Sequence, residues 1–302
     1  MAKIESLNIL LDTQGKDYLA ELSGVVIENI QKATLSYKHK NQDLSGDPVS
    51  GTIECRRFVN ANSQNYGTAR AAGKGEAVKA KPVTVSIDQD KEIVEELEAK
   101  DVRLYTVDDV LNRRSNNHVL TVATALDRAF YAEAYSNANA VNVYGVTDIA
   151  DILEKIIQEC ENTKNDFVDG VPRDMMSLVL STEYYGKVRN NLDKQQRANV
   201  DTTAEEFYTW HGVEVDSCTR LPAGCDILLM VKGAVAQPVM MDQYAAEKVP
   251  LSDAIAVELF YHYGTKAVTP DLIFTSDFTA PETTEEQPAG EQPAGEQSDP
   301  TE

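Results

Sequence analysis

Residues 105–135 read YTVDDVLNRRSNNHVLTVATALDRAFYAEAY and specify one long helix. Thr106 supplies an N-cap, and Asp109 three residues on gives a weak capping box. Asp108 and Asp109 set negative charge at the positive end of the helix dipole. Apolar residues recur at Val107, Val110 and Leu111, then at Val119, Val122, Ala123, Leu126, Ala129 and Phe130, the three-and-four spacing of a buried stripe. Neither Gly nor Pro interrupts the run. Its length is about 45 Å, more than an ordinary globular helix reaches. Between the apolar halves lies a polar waist, Asn112 to His118 (NRRSNNH), which is expected to be wet or to touch something other than its own core. Such a beam suits a flat, extended domain better than a compact enzyme.

The chain around it has 302 residues, room for two domains or for one with insertions. No apolar run approaches the roughly 18 residues of a membrane span, and the opening MAKIESLNILL lacks the basic start and cleavage site of a signal peptide. Cys55, Cys160, Cys218 and Cys225 show no CxxC or Cys/His ligand spacing and read as reduced, core or near-core thiols of a cytosolic product. The net charge of −21 argues against a nucleic-acid-binding surface. Residues 280–302 carry seven acidic groups and no basic ones, which leaves −14 for the rest. Solubility accounts for that charge; a surface that lies near DNA without sticking to it is the sharper alternative.

N-terminal to the helix, the spacing predicts a loose start and a helix from Lys16 to Lys32 with Leu19, Leu22, Val26 and Ile30 on one face, weakened at Gly24. Residues 1–50 read as an arm lying over something else. Two β arms follow, Thr52 to Val59 and a return alternating Val83, Val85 and Ile87 against Thr84, Ser86 and Asp88, with Pro82 at an edge or bulge. The tip between them, Asn60 to Glu76 (NANSQNYGTARAAGKGE), has almost nothing to bury. A hairpin of this span could project roughly 40–50 Å. An isolated hairpin is marginal in water, so a neighbouring copy of the chain is the simplest source of shelter. Asp88 to Asp101 is an acidic connector, a helix or a twisted strand end.

C-terminal to the helix, Thr147 or Asp148 caps a helix with the stripe Ile149, Ile152, Leu153, Ile156, Ile157 and Cys160. Met176 to Ser181, Trp210 to Val215, Ile227 to Val231 and Val235 to Met241 read as strands and Thr182 to Leu192 as a short helix, together an α/β layer. Lys194 to Glu206 is polar and mobile by composition. Ala254 to Tyr263 alternates as a long strand that Gly264 ends, and Lys266 to Phe274 gives a further strand; both are expected beneath the long helix. The EQPAG repeats after Ala280 have a disordered composition.

No catalytic constellation emerges. Gly73-Lys74-Gly75 is too short for a phosphate loop and is followed by Glu76, and GxSxG, HExxH and GxGxxG are missing. The four histidines lack metal-ligand spacing to one another. His211, seven residues before Cys218, allows a thiol–imidazole pair, against the simpler reading of a turn histidine and a packed cysteine. Asp108 and Asp109 read as helix-capping residues rather than an acid–base pair. Lys74, Lys79 and Lys81 could form an isopeptide bond to an Asn of a neighbour, but tip lysines are ordinarily solubilising and no Asn partner is evident.

The order of parts and several local passages are similar to a known family. Gly51 to Phe58 (GTIECRRF) with Tyr66 to Arg70 (YGTAR) resembles an extended loop, and Glu95 to Asp101, Arg113-Arg114 and Asp127 to Ala134 (DRAFYAEA) resemble the approach to a spine helix and the helix itself. Trp210 to Pro222 and Phe260 to Pro270 resemble a loop–Gly–strand passage and a closing strand. Together they resemble the major capsid protein of tailed bacteriophages, the Hong Kong 97-like fold, over residues 1–279.

That resemblance implies an α+β fold with an N-arm (1–50), an extended β-hairpin loop (51–90), a peripheral domain with a long spine helix (91–137 with 251–279), an α/β axial domain (138–250) and an acidic tail (280–302). It implies a non-enzymatic shell subunit without cofactor or metal, forming hexamers and pentamers that enclose double-stranded DNA without sequence-specific binding. Tyr66, Gly67, Arg70, Gly73, Lys74 and Gly75 become subunit-interface residues, and Arg113, Arg114, Asp127 and Arg128 mark the spine helix. Portal and decoration proteins are implied partners. No long helical segment precedes the arm, so the expectation is a separate scaffolding protein; the acidic repeat tail is an addition whose role is open. The expected location is the virion, assembled in the host bacterial cytoplasm, with no membrane. A bacterial nanocompartment shell of the same fold and a cytosolic enzyme with an unseen site are the competing readings.

Overall fold

The computed structural model describes residues 6–194 and 209–280. The expected loose start before Ser6, the polar stretch to Glu206 and the tail from 281 onward lie outside them. In chain order the elements are α1 (Thr13–Ala33), β1 (Thr52–Phe58), α2 (Thr68–Ala72), β2 (Ala80–Ser86), β3 (Gln89–Leu97), α3 (Ala99–Leu104) and α4 (Val107–Ser136). Then come β4 (Asn139–Asn142), α5 (Ile149–Glu161), the short pair β5 (Lys164–Asn165) and β6 (Val168–Asp169), β7 (Met176–Leu180) and α6 (Thr182–Lys194). The chain closes with β8 (Thr209–Trp210), β9 (Val213–Ser217), β10 (Ile227–Val231), β11 (Val235–Ala236), β12 (Val239–Met241), β13 (Ala245–Lys248), β14 (Ile255–Tyr263), β15 (Lys266–Ala267) and β16 (Ile273–Asp277).

The long helix is α4, thirty residues capped where the sequence places the cap: Thr106 Oγ1 accepts from the Asp109 backbone N–H at 3.3 Å. Its two apolar halves serve different cores. Val107, Leu111, Val119, Val122 and Leu126 pack with α1 and with the inward residues of β14, Ile255, Val257, Leu259, Tyr261 and Tyr263. Phe130, Tyr131 and Ala134 instead meet Val179, Leu228, Met230 and Ile273 on one face of a second sheet. The opposite face of that sheet, with Leu178, Leu180, Ile227 and Leu229, is covered by the α5 stripe and by Val188. β7 and β10 are therefore apolar on both faces, which is why they read as continuous apolar runs.

The second sheet is mixed, in the order β4-β16-β10-β7-β9-β8, with β4/β16 and β7/β9 parallel. The first sheet centres on β14: β3 pairs along all nine residues of one edge, and β12 and β13 share the other. The acidic connector is thus a strand over Gln89–Leu97. Strand pairing crosses the expected boundary at 250: β12 and β13 join the β14 sheet, the one expected to be peripheral, while β16 enters the six-stranded sheet, the one expected to be axial. β14 lies beneath the first part of α4 as expected; the expected strand 266–274 is instead β15 and β16, split by a turn at Pro270, and meets the last part of α4 through Ala267 and Ile273, with β16 joining the other sheet. The expected single strand 235–241 is likewise two, β11 and β12, in separate sheets.

Residues 13–33, expected within an arm over something else, form α1 with Leu19, Leu22, Val26 and Ile30 buried against their own chain. The waist of α4 is wet on one face: Asn112, Arg113, Arg114, Asn116 and Asn117 are exposed. On the other face Ser115 and His118 are buried; His118 Nδ1 lies 2.8 Å from Tyr244 Oη, and Arg114 Nε donates to Glu95 Oε2 at 2.6 Å.

Candidate assembly surface

β1 and β2 pair over seven residues, Thr52 opposite Ser86 to Phe58 opposite Ala80. That paired length is about 23 Å, shorter than the projection expected from sequence. The base is firmly seated. Cys55 and Val85 pack with Ala236 and Val268, and Leu44 and Val83 border them. Arg57 continues the inward face of Ile53 and Cys55. Its guanidinium donates to Asp271 through Nη1 at 2.6 Å and Nη2 at 2.7 Å, and it lies 4.3 Å over the Phe167 ring. Asn165 Nδ2 donates to the same carboxylate, at 2.5 Å. Burial alone would push the Asp271 carboxyl up; the Arg57 bonds reverse that and hold it below the usual range. At the other end of the base, Gly264 lies so close to β2 that an added Cβ would stand 1.8 Å from the Ser86 carbonyl oxygen.

Beyond Val59 N–H to Lys79 O and Asn60 N–H to Asp166 O, both 3.0 Å, the finger leaves the body. Residues 61–79 are exposed except for half-buried Gly67. Gly67 and Gly73, at φ 93° and 69°, bracket α2 in a conformation glycine adopts without strain. Tyr66 is 94 % exposed, with the Arg70 guanidinium 5.6 Å from its ring centre. The tip carries Arg70, Lys74 and Lys79 against one carboxylate, Glu76, on a chain of net charge −21.

Tyr66, Gly67, Arg70, Gly73, Lys74 and Gly75 therefore share one exposed tip. The four spine positions separate. Arg113, 4.8 Å over the Tyr105 ring, and Arg128 are exposed, and Arg114 is bound to Glu95, whose carboxyl it holds below its ordinary range. Asp127 is fully buried; it accepts from the Leu35 and Ser36 N–H groups at 3.2 and 2.9 Å and pairs with Arg220, tying the chain after α1 to the axial domain. His211 stacks on Trp210 at 4.7 Å, and no hydrogen bond among the described residues joins it to Cys218, whose thiol burial pushes up. A thiolate–imidazole pair needs the opposite shift. All four cysteines are free and buried.

The anchors Arg57, Asn165, Phe167 and Asp271 escape sequence reading. An arginine in phase with Ile53 and Cys55 signals a buried carboxylate partner, but not that it stands 214 residues away.

No family model and no curated protein matches the sequence. Solved structures do. A chain of Mycobacterium phage Che8 superposes with a TM-score of 0.57 at 17% identity, covering 75% of this chain and 84% of that one. The capsid of cyanophage P-SCSP1u gives 0.57 at 13%, covering 79% and 85%. A virus-like particle from Pyrococcus furiosus gives 0.54 at 11%, covering 86% and 100%. The chain has the Hong Kong 97-like capsid fold.

Proposed function

We propose that this chain is the major shell subunit of a tailed-bacteriophage head, a structural and non-catalytic protein that builds hexamers and pentamers around double-stranded DNA. One observation carries the reading: a bare, cationic finger tip stands on a base locked to the body by Arg57 and Asp271. An isolated two-stranded arm with an exposed Tyr66 gains nothing alone, whereas a neighbouring acidic copy shelters the ring and matches the charge. Head-to-tail contacts of this kind close into rings, and the glycines flanking α2 allow the small angular changes that five- and six-membered rings require. The acidic body lets enclosed DNA slide without adhering. A separate scaffolding protein, a portal and decoration proteins would complete assembly in the host cytoplasm.

Electron microscopy of the purified full-length protein tests this: closed shells with five- and six-fold capsomers are expected, and a compact monomer of about the 33.3 kDa chain mass overturns it. The full-length match to the Pyrococcus particle favours a second reading, a nanocompartment shell. Particles purified from the native source decide between them, double-stranded DNA supporting the phage head and an enclosed enzyme the compartment.

A further inference from the structure

The peripheral sheet carries an unsheltered knob at one end of β14 and an unfilled cleft near the other. The knob is the loop 249–254, closed by Val249 N–H to Ala254 O at 3.1 Å and Ser252 N–H to Val249 O at 3.3 Å. At its apex Leu251 is fully exposed and held at φ 60°, a left-handed conformation that is unfavourable for a branched aliphatic residue. Strain of this sort persists where the surroundings or a function require it. Two residues on, Asp253 is exposed and makes no ion pair among the described residues; the nearby Lys100 is held by Glu98 at 2.6 Å.

The cleft lies between the C-terminal half of α1, the segment that follows it, and β12. Its volume is about 400 Å³, with Ile30, Leu126, Val239 and Met241 in its walls. Its one charged lining residue is Lys40, whose ammonium sits 4.7 Å over the Tyr37 ring and has no carboxylate within ion-pair distance among the described residues. Burial pushes the Lys40 pKa down, outweighing the opposing pull of the Asp127 carboxylate. Gln237 also lines the cleft and is 1 % exposed. Its Nε2 donates to Leu126 O at 2.9 Å and Thr265 Oγ1 at 3.1 Å, while its Oε1 has no partner. A buried acceptor left unmatched is destabilising, because it has given up its water without a replacement.

What the cleft lacks is an apolar side chain, an anion and an N–H donor, and the knob offers all three in Leu251, Asp253 and the loop backbone. The two cannot meet within one chain, since β14 sets them about 30 Å apart. We propose that the 249–254 loop of one copy seats Leu251 in the cleft of a second copy, with Asp253 pairing to Lys40 and a loop N–H meeting Gln237 Oε1. This rests on the shell reading above and adds to the finger a separate, head-to-tail contact.

Paired cysteines test it on assembled full-length protein. Leu251→Cys combined with Gln31→Cys, at the exposed rim of the cleft, is expected to give an oxidant-dependent ladder of linked chains that neither single variant gives. Intact assemblies without a ladder overturn the proposal, as does a ladder from Tyr66→Cys with Gln31→Cys, which would put the finger in the cleft. Charge exchange supplies the second arm. Asp253→Lys and Lys40→Asp alone should each lower assembly yield severalfold, and the double variant should restore it to within about twofold; unaffected single variants or an unrescued double sink the pairing. Normal shells from Leu251→Ser remove only the knob and cleft, whereas a wild-type chain that never assembles removes the shell reading as well.

Discussion

The base and the tip of the finger obey opposite rules. At the base, Ile53, Cys55 and Val85 are buried, an arginine is gripped bidentately and Gly264, just past β14, admits the backbone of β2. Beyond the paired strands, Tyr66 and Val78 stand bare on a tip that carries Arg70, Lys74 and Lys79. The same hairpin thus contains a joint packed into its own chain and a tip that buries almost nothing against it. Under the proposed shell reading the tip serves a contact outside the chain, and mutation should separate the two halves cleanly.

Severing the base should have the largest effect. Arg57→Ala leaves the half-buried Asp271 carboxylate without its cation, and a loss of about 3 kcal/mol is expected, read as a lower urea midpoint of the unassembled chain. An unchanged midpoint would erase the distinction between joint and surface. Gly264→Ala comes next: its methyl must displace the Ser86 backbone, and about 2 kcal/mol of destabilisation together with altered hairpin amide protection is expected.

Acid should loosen the base more gently. The folded Asp271 carboxyl titrates below its unfolded value, so its contribution is complete above the unfolded pKa, near 4. It is lost as pH falls through the folded value. Asp271→Asn should flatten the stability profile below about pH 4; a profile identical to wild type would exclude this carboxylate as the source. The tip closes the series: Tyr66→Ser and Arg70→Ala should change stability by less than about 0.5 kcal/mol while lowering the yield of assembled particles. Loss of stability at the tip would mean that the finger is sheltered by its own chain.

Much of the fold is legible in local pattern. The three-and-four spacing of Ile149 to Cys160, the capping Thr106 and the alternation from Ile255 to Tyr263 each announce their element, because burial on one face leaves a period in the sequence. The exposed tip is legible too, since a run of Gly, Ala and Asn offers no period at all. The waist of α4 is legible in part: its polar letters foretell the five exposed residues, but not the seam where His118 and Arg114 meet Tyr244 and Glu95.

The sequence by itself determined the strongly periodic elements, α1, α4, α5 and β14, and that the finger tip has nothing of its own to bury. Tertiary structure alone decided that the acidic connector is a strand, that 235–241 divides between two sheets, that α4 serves two cores, that β16 joins the six-stranded sheet, and that Arg57 meets Asp271. The physical reason is range. Periodicity records whether a residue is buried, which each residue carries locally, whereas pairing depends on which distant surface arrives opposite it, and only the closed chain fixes that.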